Sequence, residues 1–394
     1  MSQRVAIVGC GQTYHKARRP DVNETELVNE AVRTALEDAQ ISLRDIDSVF
    51  TANMDGFEGV HLSDCWMCDG SGAYMKPGLK ATTGGTTGAS IFFVGVDYVA
   101  SGLFDTELVI GYQKHEEGNV TAGLLGGQEQ AWVKGMMQGA IGIFANIAQG
   151  YMMESGAREE HAAMLRLKAD RNALRNPYAQ LRLNLESVEQ VLQSPYLIPP
   201  LRLLDMCPNS SGAAAVVLAS EDRAKRISGK PVWVADTVSQ HMGWSPVSSS
   251  MMGFGAPGER RLESTHTVCA RKLYRNHGIT NPRKQIDVFE MYEPSIWGEM
   301  KWYEDFLFCE KGEGWKLVEQ GVTEIDGELP VNPSGGVVST NPIGATALLR
   351  VLEAALQVRG DAGEHQVPRD VKTAIATGWG GINWTTMVLL SSTL

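Results

Sequence analysis

The stretch Lys80-Ala-Thr-Thr-Gly-Gly-Thr-Thr-Gly-Ala-Ser90 is built almost wholly from small residues and stands directly ahead of an apolar segment, Ile91 to Ala100. A tight turn entering a buried helix presents backbone N–H groups at a helix N-terminus, where negative charge or a carbonyl oxygen is favoured. Glycine needed only for close packing would give the same composition. Cys65 and Cys68 form a lone C-x-x-C, and the remaining cysteines, Cys10, Cys207, Cys269 and Cys309, are scattered. A zinc ribbon needs a second pair and a disulfide framework a denser pattern, so packing is the expected role and no metal site is assigned. Gly9 and Gly11 open a G-x-G, but Tyr14 stands where a dinucleotide-binding turn needs its third glycine, so nicotinamide binding is not expected.

The elements that must position such groups follow from periodicity. Val5 to Val8 reads as a buried strand, Glu24 to Ala39 as a helix with Asn23 as its N-cap, and Ser48 to Ala52 as a strand, which together form a β-α-β unit. Glu107 to Gly111 is a further strand. Residues 112 to about 200 change character. They are rich in Gly, Gln, Met and Ala and then charged and helical from Arg158 to Arg175, as expected of an insertion lying over a ligand pocket and closed by Pro199-Pro200. Ser211 to Leu218 completes the first half. The order then repeats: strand Val232 to Ala235, helix Glu263 to His277, strand Ile286 to Met291, helix Ser295 to Phe308, a small-residue turn at Pro333 to Val338, an amphipathic helix from Ala345 to Val358, and strands at Lys372 to Thr377 and Trp384 to Ser391. This is an α/β chain duplicated about a pseudo-twofold axis, with halves at 1–225 and 226–394.

With 394 residues the chain is long enough for more than one core, and its composition is globular. A net charge of −11 without a Lys/Arg-rich run excludes bare nucleic acid as a partner. The N-terminus runs straight into a strand and no apolar stretch reaches spanning length, so no membrane association and a cytoplasmic location are expected.

Val5-Ala-Ile-Val-Gly9, Leu204-Asp-Met-Cys-Pro-Asn-Ser-Ser-Gly-Ala-Ala-Ala215, Asn332-Pro-Ser-Gly-Gly336, Asn341-Pro-Ile-Gly-Ala345 and Thr377-Gly-Trp-Gly-Gly381 occur in this order over nearly the whole chain. They resemble the thiolase superfamily, and within it the sterol-carrier-protein-like branch that includes lipid-transfer thiolases and steroid side-chain aldolases. The resemblance implies βαβαβαββ halves in a five-layered αβαβα arrangement, with the insertion as a helical loop domain. It also places Gly85 where thiolases carry the nucleophilic cysteine, and a glycine cannot form an acyl-enzyme. Asn341 stands for the histidine of the Gly-His-Pro turn and Thr377 for the second cysteine. Tyr292-Glu293-Pro294-Ser295 replaces the second-half motif.

By this resemblance Tyr292, Glu293 and Asn341 are candidate catalytic groups. Tyr292 matches the tyrosine that the aldolases use for proton transfer, and Asn341 would bind an oxyanion or water. The aldolases' further tyrosine near the Gly-Gly turn has no counterpart here. The fold would bring His61 and His115 toward the pocket as possible bases. Backbone N–H groups at Gly85, Gly380 and Gly381 are candidate oxyanion donors. Met252, Gly253 and Phe254, in a Ser/Met/Gly-rich stretch, and Ser334 are candidate coenzyme A contacts. Ordinary packing or turn roles are the alternative for each. Cys207 and Cys309 could supply a replacement thiol, although Cys207 is expected away from the pocket.

The implied reaction makes or breaks a carbon–carbon bond beside an acyl-CoA thioester without an acyl-enzyme, in the retro-aldol manner. It would serve the catabolism of lipids or aromatics. Alternatives are a β-ketoacyl-CoA thiolase or acyltransferase using a non-standard or direct CoA nucleophile, and a non-catalytic acyl-CoA-binding subunit. No cofactor is expected beyond coenzyme A as part of the substrate. A homodimer is implied, with a small OB-fold and zinc-ribbon protein as a possible partner.

Overall fold

The computed structural model describes residues 3–59, 62–126, 139–227, 229–241, 263–381 and 384–393. The strands of its large sheet are β1 (Val5–Gln12), β2 (Ser48–Ala52), β3 (Gly78–Ala81), β4 (Thr106–Gln113), β5 (Gly212–Ser220), β6 (Val232–His241), β7 (Val288–Glu290), β8 (Thr373–Trp379) and β9 (Trp384–Ser391), and a separate short pair joins Tyr196–Ile198 to Leu201–Arg202. Most are buried along their whole length, as strands covered on both faces must be. Among the described residues they form one sheet in the order β3-β2-β4-β5-β1-β6-β9-β8-β7. The seam between β1 and β6 is narrow, only Ala6↔Trp233 and Ile7↔Val232, so the sheet consists of two half-sheets, one from each half of the chain.

Alternating side chains sort the halves into layers. On β5, Ala213, Ala215, Val217 and Ala219 face helix α1 (Glu24–Ala39), whereas Ala214, Val216 and Leu218 face helices α2 (Thr87–Ser101) and α7 (Ile343–Arg359). On β9, Val388 and Leu390 share that α2–α7 core, whereas Met387 and Leu389 face α5 (Thr265–Asn276) and α6 (Ile296–Asp305). Helices α2 and α7 therefore form the middle of five αβαβα layers. They approach closely because a Cβ on Gly88 would lie 2.6 Å from the Leu348 backbone nitrogen.

The first helix begins where its sequence says it should, with a reciprocal capping box between Asn23 and Glu26. The first strand runs beyond the expected Val8, because a bulge between Ile7 and Gly9 carries pairing on to Gln12. Its glycines are packing residues, since a Cβ on Gly11 would sit 2.3 Å from the Ala31 carbonyl oxygen in α1.

The insertion contributes α3 (Ala140–Ser155) and α4 (Glu159–Arg175). Although α4 is charged, much of it is buried, and its polar side chains hold the 331–341 turn of the second half. Lys168 Nζ donates to the Val331 carbonyl (3.2 Å), Asn172 Nδ2 to Asn332 (3.0 Å) and Arg166 to Val338 (3.1 Å). Just past the helix, Asn176 Nδ2 donates to the Ser334 carbonyl at 3.0 Å. The insertion thus anchors the turn that carries Asn341.

A buried ion pair lies at the other end of α7, where His365 Nε2 meets Glu353 Oε2 at 2.8 Å. Burial opposes both charges, but the pair and its hydrogen bonds prevail. The imidazole pKa is raised above 6.5, and the carboxyl is lowered from 4.5 to about 2. The histidine contribution is complete below pH 6.5 and fades as pH rises through the raised value. The glutamate contribution is complete above pH 4.5 and fades as pH falls toward 2. His365→Gln should therefore cost about 3 kcal/mol near pH 5.5 and progressively less at alkaline pH. Urea denaturation across pH checks this, and a cost independent of pH would contradict it.

Candidate active site

Tyr292 follows β7, and its backbone N–H donates to Thr377 Oγ1 at 2.9 Å, tying the segment to the end of β8. Its side chain is buried and points at the elbow before α2. A Cβ on Gly85 would lie 2.9 Å from the Tyr292 hydroxyl oxygen, 3.3 Å from Cζ, and 2.2 Å from the carbonyl oxygen of Trp379. The space into which a residue-85 side chain would project is therefore filled by a phenol. Burial raises the phenol pKa above its ordinary value, and Cys207 and Glu293 act in the same direction. Arg350 and the Thr346 hydroxyl oppose them. The group is a protonated phenol at neutral pH.

Asn341 is fixed on three sides. Its N–H donates to Ser210 Oγ (2.9 Å), its Oδ1 accepts from Thr346 Oγ1 (2.8 Å), and its Nδ2 donates to Cys207 Sγ (3.2 Å). Cys207 is therefore at the site and not away from it as the sequence suggested. The reason is a backbone stitch, in which the Cys207 N–H donates to the Pro294 carbonyl at 2.9 Å and Met206 bridges to Ser295. This brings the motif that closes the first half against the Tyr292–Ser295 segment. Burial pushes the Cys207 thiol up to about 12, against the Asn341 hydrogen bond, so the sulfur is a thiol and not a thiolate.

Glu293 points the other way. Its Oε1 accepts from the N–H groups of Val337 (2.7 Å) and Val338 (3.3 Å). Burial and the neighbouring Glu299 raise its pKa well above the usual carboxylate range. Ser334 is buried, with its hydroxyl donating to Glu290 Oε2 (2.8 Å) and accepting from Arg350 Nη1 (2.7 Å). The Gly380 N–H already donates to the Trp384 carbonyl at 2.8 Å, whereas a Cβ on Gly381, at φ +73°, would meet nothing within 4 Å among the described residues. His115 is buried and stacked on Phe57, and burial lowers its pKa to about 4. His61, Met252, Gly253 and Phe254 lie outside the described residues.

The structure thus gathers Gly85, Tyr292 and Asn341, and adds Thr346 and Cys207. Nothing in local spacing marks the last two, because their approach depends on the pairing of the halves. Among the described residues there is no group of three or more His, Cys, Asp or Glu side chains placed to hold a metal ion, and no helix is long and apolar enough to cross a membrane.

Residues 263–393 match the family described as Thiolase C-terminal domain-like. Over 372 residues the chain is 32% identical to an acetyl-CoA acetyltransferase of Methanothermobacter thermautotrophicus, which spans 92% of this chain and 93% of that protein. It is 29% identical over 397 residues to sterol carrier protein 2 of Bos taurus, spanning 93% of this chain and 68% of that protein. The solved structure of an Ltp2-ChsH2(DUF35) aldolase superposes with a TM-score of 0.82 at 24% identity, over 99% of this chain and 98% of that one. The chain belongs to the thiolase superfamily, in its sterol-carrier-protein-2-like branch, and is an enzyme of the thiolase type.

Proposed function

We propose that this enzyme cleaves or forms the bond between Cα and Cβ of an acyl-CoA thioester by an aldol-type reaction without an acyl-enzyme. The observation that carries this reading is the Tyr292 hydroxyl in the place of a residue-85 side chain. A covalent acyl carrier has no side chain at that position, and a proton donor occupies it. In the cleavage direction a general base, a side chain or water in the pocket, takes the proton of the β-hydroxyl, the Cα–Cβ bond breaks to leave a carbonyl product, and its electron pair forms an enolate on the thioester. Its negative oxygen is within the chemistry of Asn341 Nδ2 and the backbone N–H groups of the elbow. The protonated phenol then delivers a proton to Cα. Arg350, which favours the ionised phenol, lowers the cost of that transfer.

A second reading rests on the 3.2 Å contact between Asn341 Nδ2 and Cys207 Sγ, which would suit thiolysis through a relocated thiol. The high pKa of that thiol disfavours it. Product analysis by mass spectrometry separates the two. Incubated with β-hydroxyacyl-CoA and no free CoA, the enzyme should release a free carbonyl compound and a shortened acyl-CoA, and Cys207→Ala should do the same. Two CoA thioesters formed from a β-ketoacyl-CoA only when CoA is added, and lost in Cys207→Ala, would replace the aldol reading with the thiolytic one.

We further propose a homodimer. Among the described residues β3 ends the sheet with one edge unpaired, and Leu62, Trp66, Tyr74, Met75 and Leu79 are exposed around it, as a surface between subunits would be. The Ltp2-ChsH2(DUF35) complex supports a small partner subunit as well.

A further inference from the structure

Two buried arginines approach the Tyr292–Glu293 pair. Arg350, from α7, is neutralised by Glu290 at 2.5 Å. Arg166, from the insertion helix α4, differs. It is fully buried, its Nη1 donates to the Val338 carbonyl at 3.1 Å, and its Nε and Nη2 meet no acceptor among the described residues. The acids that influence it are Asp170, Asp205 and Glu293, and each is engaged by other donors. Asp170 takes the N–H groups of Leu183 and Leu185, Asp205 those of Arg202 and the Trp297 indole, and Glu293 those of Val337 and Val338. None lies within ion-pair distance of Arg166. Glu293 Oε2 is likewise without a partner. A buried guanidinium left this way is costly, and the cost falls when negative charge appears nearby. Arg166 and Glu293 hold opposite sides of the same short stretch, one on the Val338 carbonyl and the other on the Val337 and Val338 N–H groups, three residues ahead of Asn341.

We propose that Arg166 is a positioning residue of the reaction: it fixes the Val337–Val338 backbone that leads to Asn341 and places a buried positive charge behind the thioester oxygen as that oxygen becomes negative. This rests on the reading that charge develops on that oxygen, whether by aldol cleavage or by thiolysis. The insertion then takes part in the chemistry as well as covering the site.

The experiment uses Arg166→Met and Arg166→Lys in the full chain, with circular dichroism confirming folding. Arg166→Met should lower kcat about 100-fold with KM little changed. Arg166→Lys, which keeps the charge, should recover a large part of that loss. A second readout needs no turnover: binding of two CoA thioethers, one ending in an anionic nitronate that mimics the enolate and one ending in a neutral alkyl group. Arg166→Met should weaken the nitronate compound selectively. Equal weakening of both compounds, an unchanged kcat, or no difference between Met and Lys would overturn the proposal. If the wild-type enzyme turned over no candidate substrate yet the nitronate selectivity followed Arg166, the reaction reading would fail and the placement of charge would stand.

Discussion

Tyr292→Phe should lower kcat by about 10²- to 10⁴-fold, the usual contribution of a positioned proton donor, while the protein stays folded and KM changes little. The substitution keeps the ring, which is buried between β8 and the elbow, and removes only the oxygen that approaches the Gly85 position. That oxygen carries the proton in the proposed reaction, and its burial keeps it protonated until the enolate forms. Rapid kinetics with a β-hydroxyacyl-CoA should show the loss. Cleavage in deuterium oxide should also show slower label uptake at Cα in the variant. A Tyr292→Phe enzyme with wild-type kcat would remove the phenol from the mechanism and leave it as packing.

Gly85→Cys should not restore a thiolase and should lower stability by about 3 kcal/mol, at the upper end of overpacking effects. Two neighbours stand in the way of any side chain there: the Tyr292 hydroxyl 2.9 Å from the new Cβ and the Trp379 carbonyl oxygen at 2.2 Å. The first could move with its ring. The second is backbone at the end of β8, held by pairing of Trp379 with Thr385. Removing the phenol in Gly85→Cys/Tyr292→Ala therefore relieves one obstruction and leaves the other, and β-ketoacyl-CoA thiolysis should remain absent. Thermal melts and a thiolysis assay with added CoA check both statements. A Gly85→Cys variant of unchanged stability that acylates would show that the elbow shifts freely, and the claim that this site cannot take a nucleophile would fail.

Much of the fold could be read from the letters. The Asn23 cap, the period of α1 and α7 and the small-residue elbow each state a local preference that the tertiary structure also satisfies. Strand ends were less legible, because pairing decides them. β1 continues through Gly9 and Gly11 only because a bulge lets it follow β5, and α1 needs the missing side chains. Tyr292 and Asn341 were legible through the motifs around them. The arrival of Cys207 was not, because its place depends on a backbone bond to Pro294, across the two halves. The same holds for Gly380, whose N–H is taken by a strand partner, and for Ser334, whose hydroxyl is held by Glu290 and Arg350. A glycine or serine looks available in a sequence, and only the hydrogen-bond accounting of the folded chain shows whether it is.

The grip of the insertion on the 331–341 turn also orders events in time. The bonds from Arg166, Lys168 and Asn172 to that turn join residues 172, 163 and 160 positions apart, whereas the α-β-α units around them close over short stretches. Contacts of such separation form late, because closing a long loop must precede any gain from them. A newly made chain can therefore form its helices, which close over short stretches, while Asn341 still lacks its support and β1 has yet to reach β5, where Val5 pairs with Ser220. Competence to catalyse should therefore trail the recovery of helical signal during refolding.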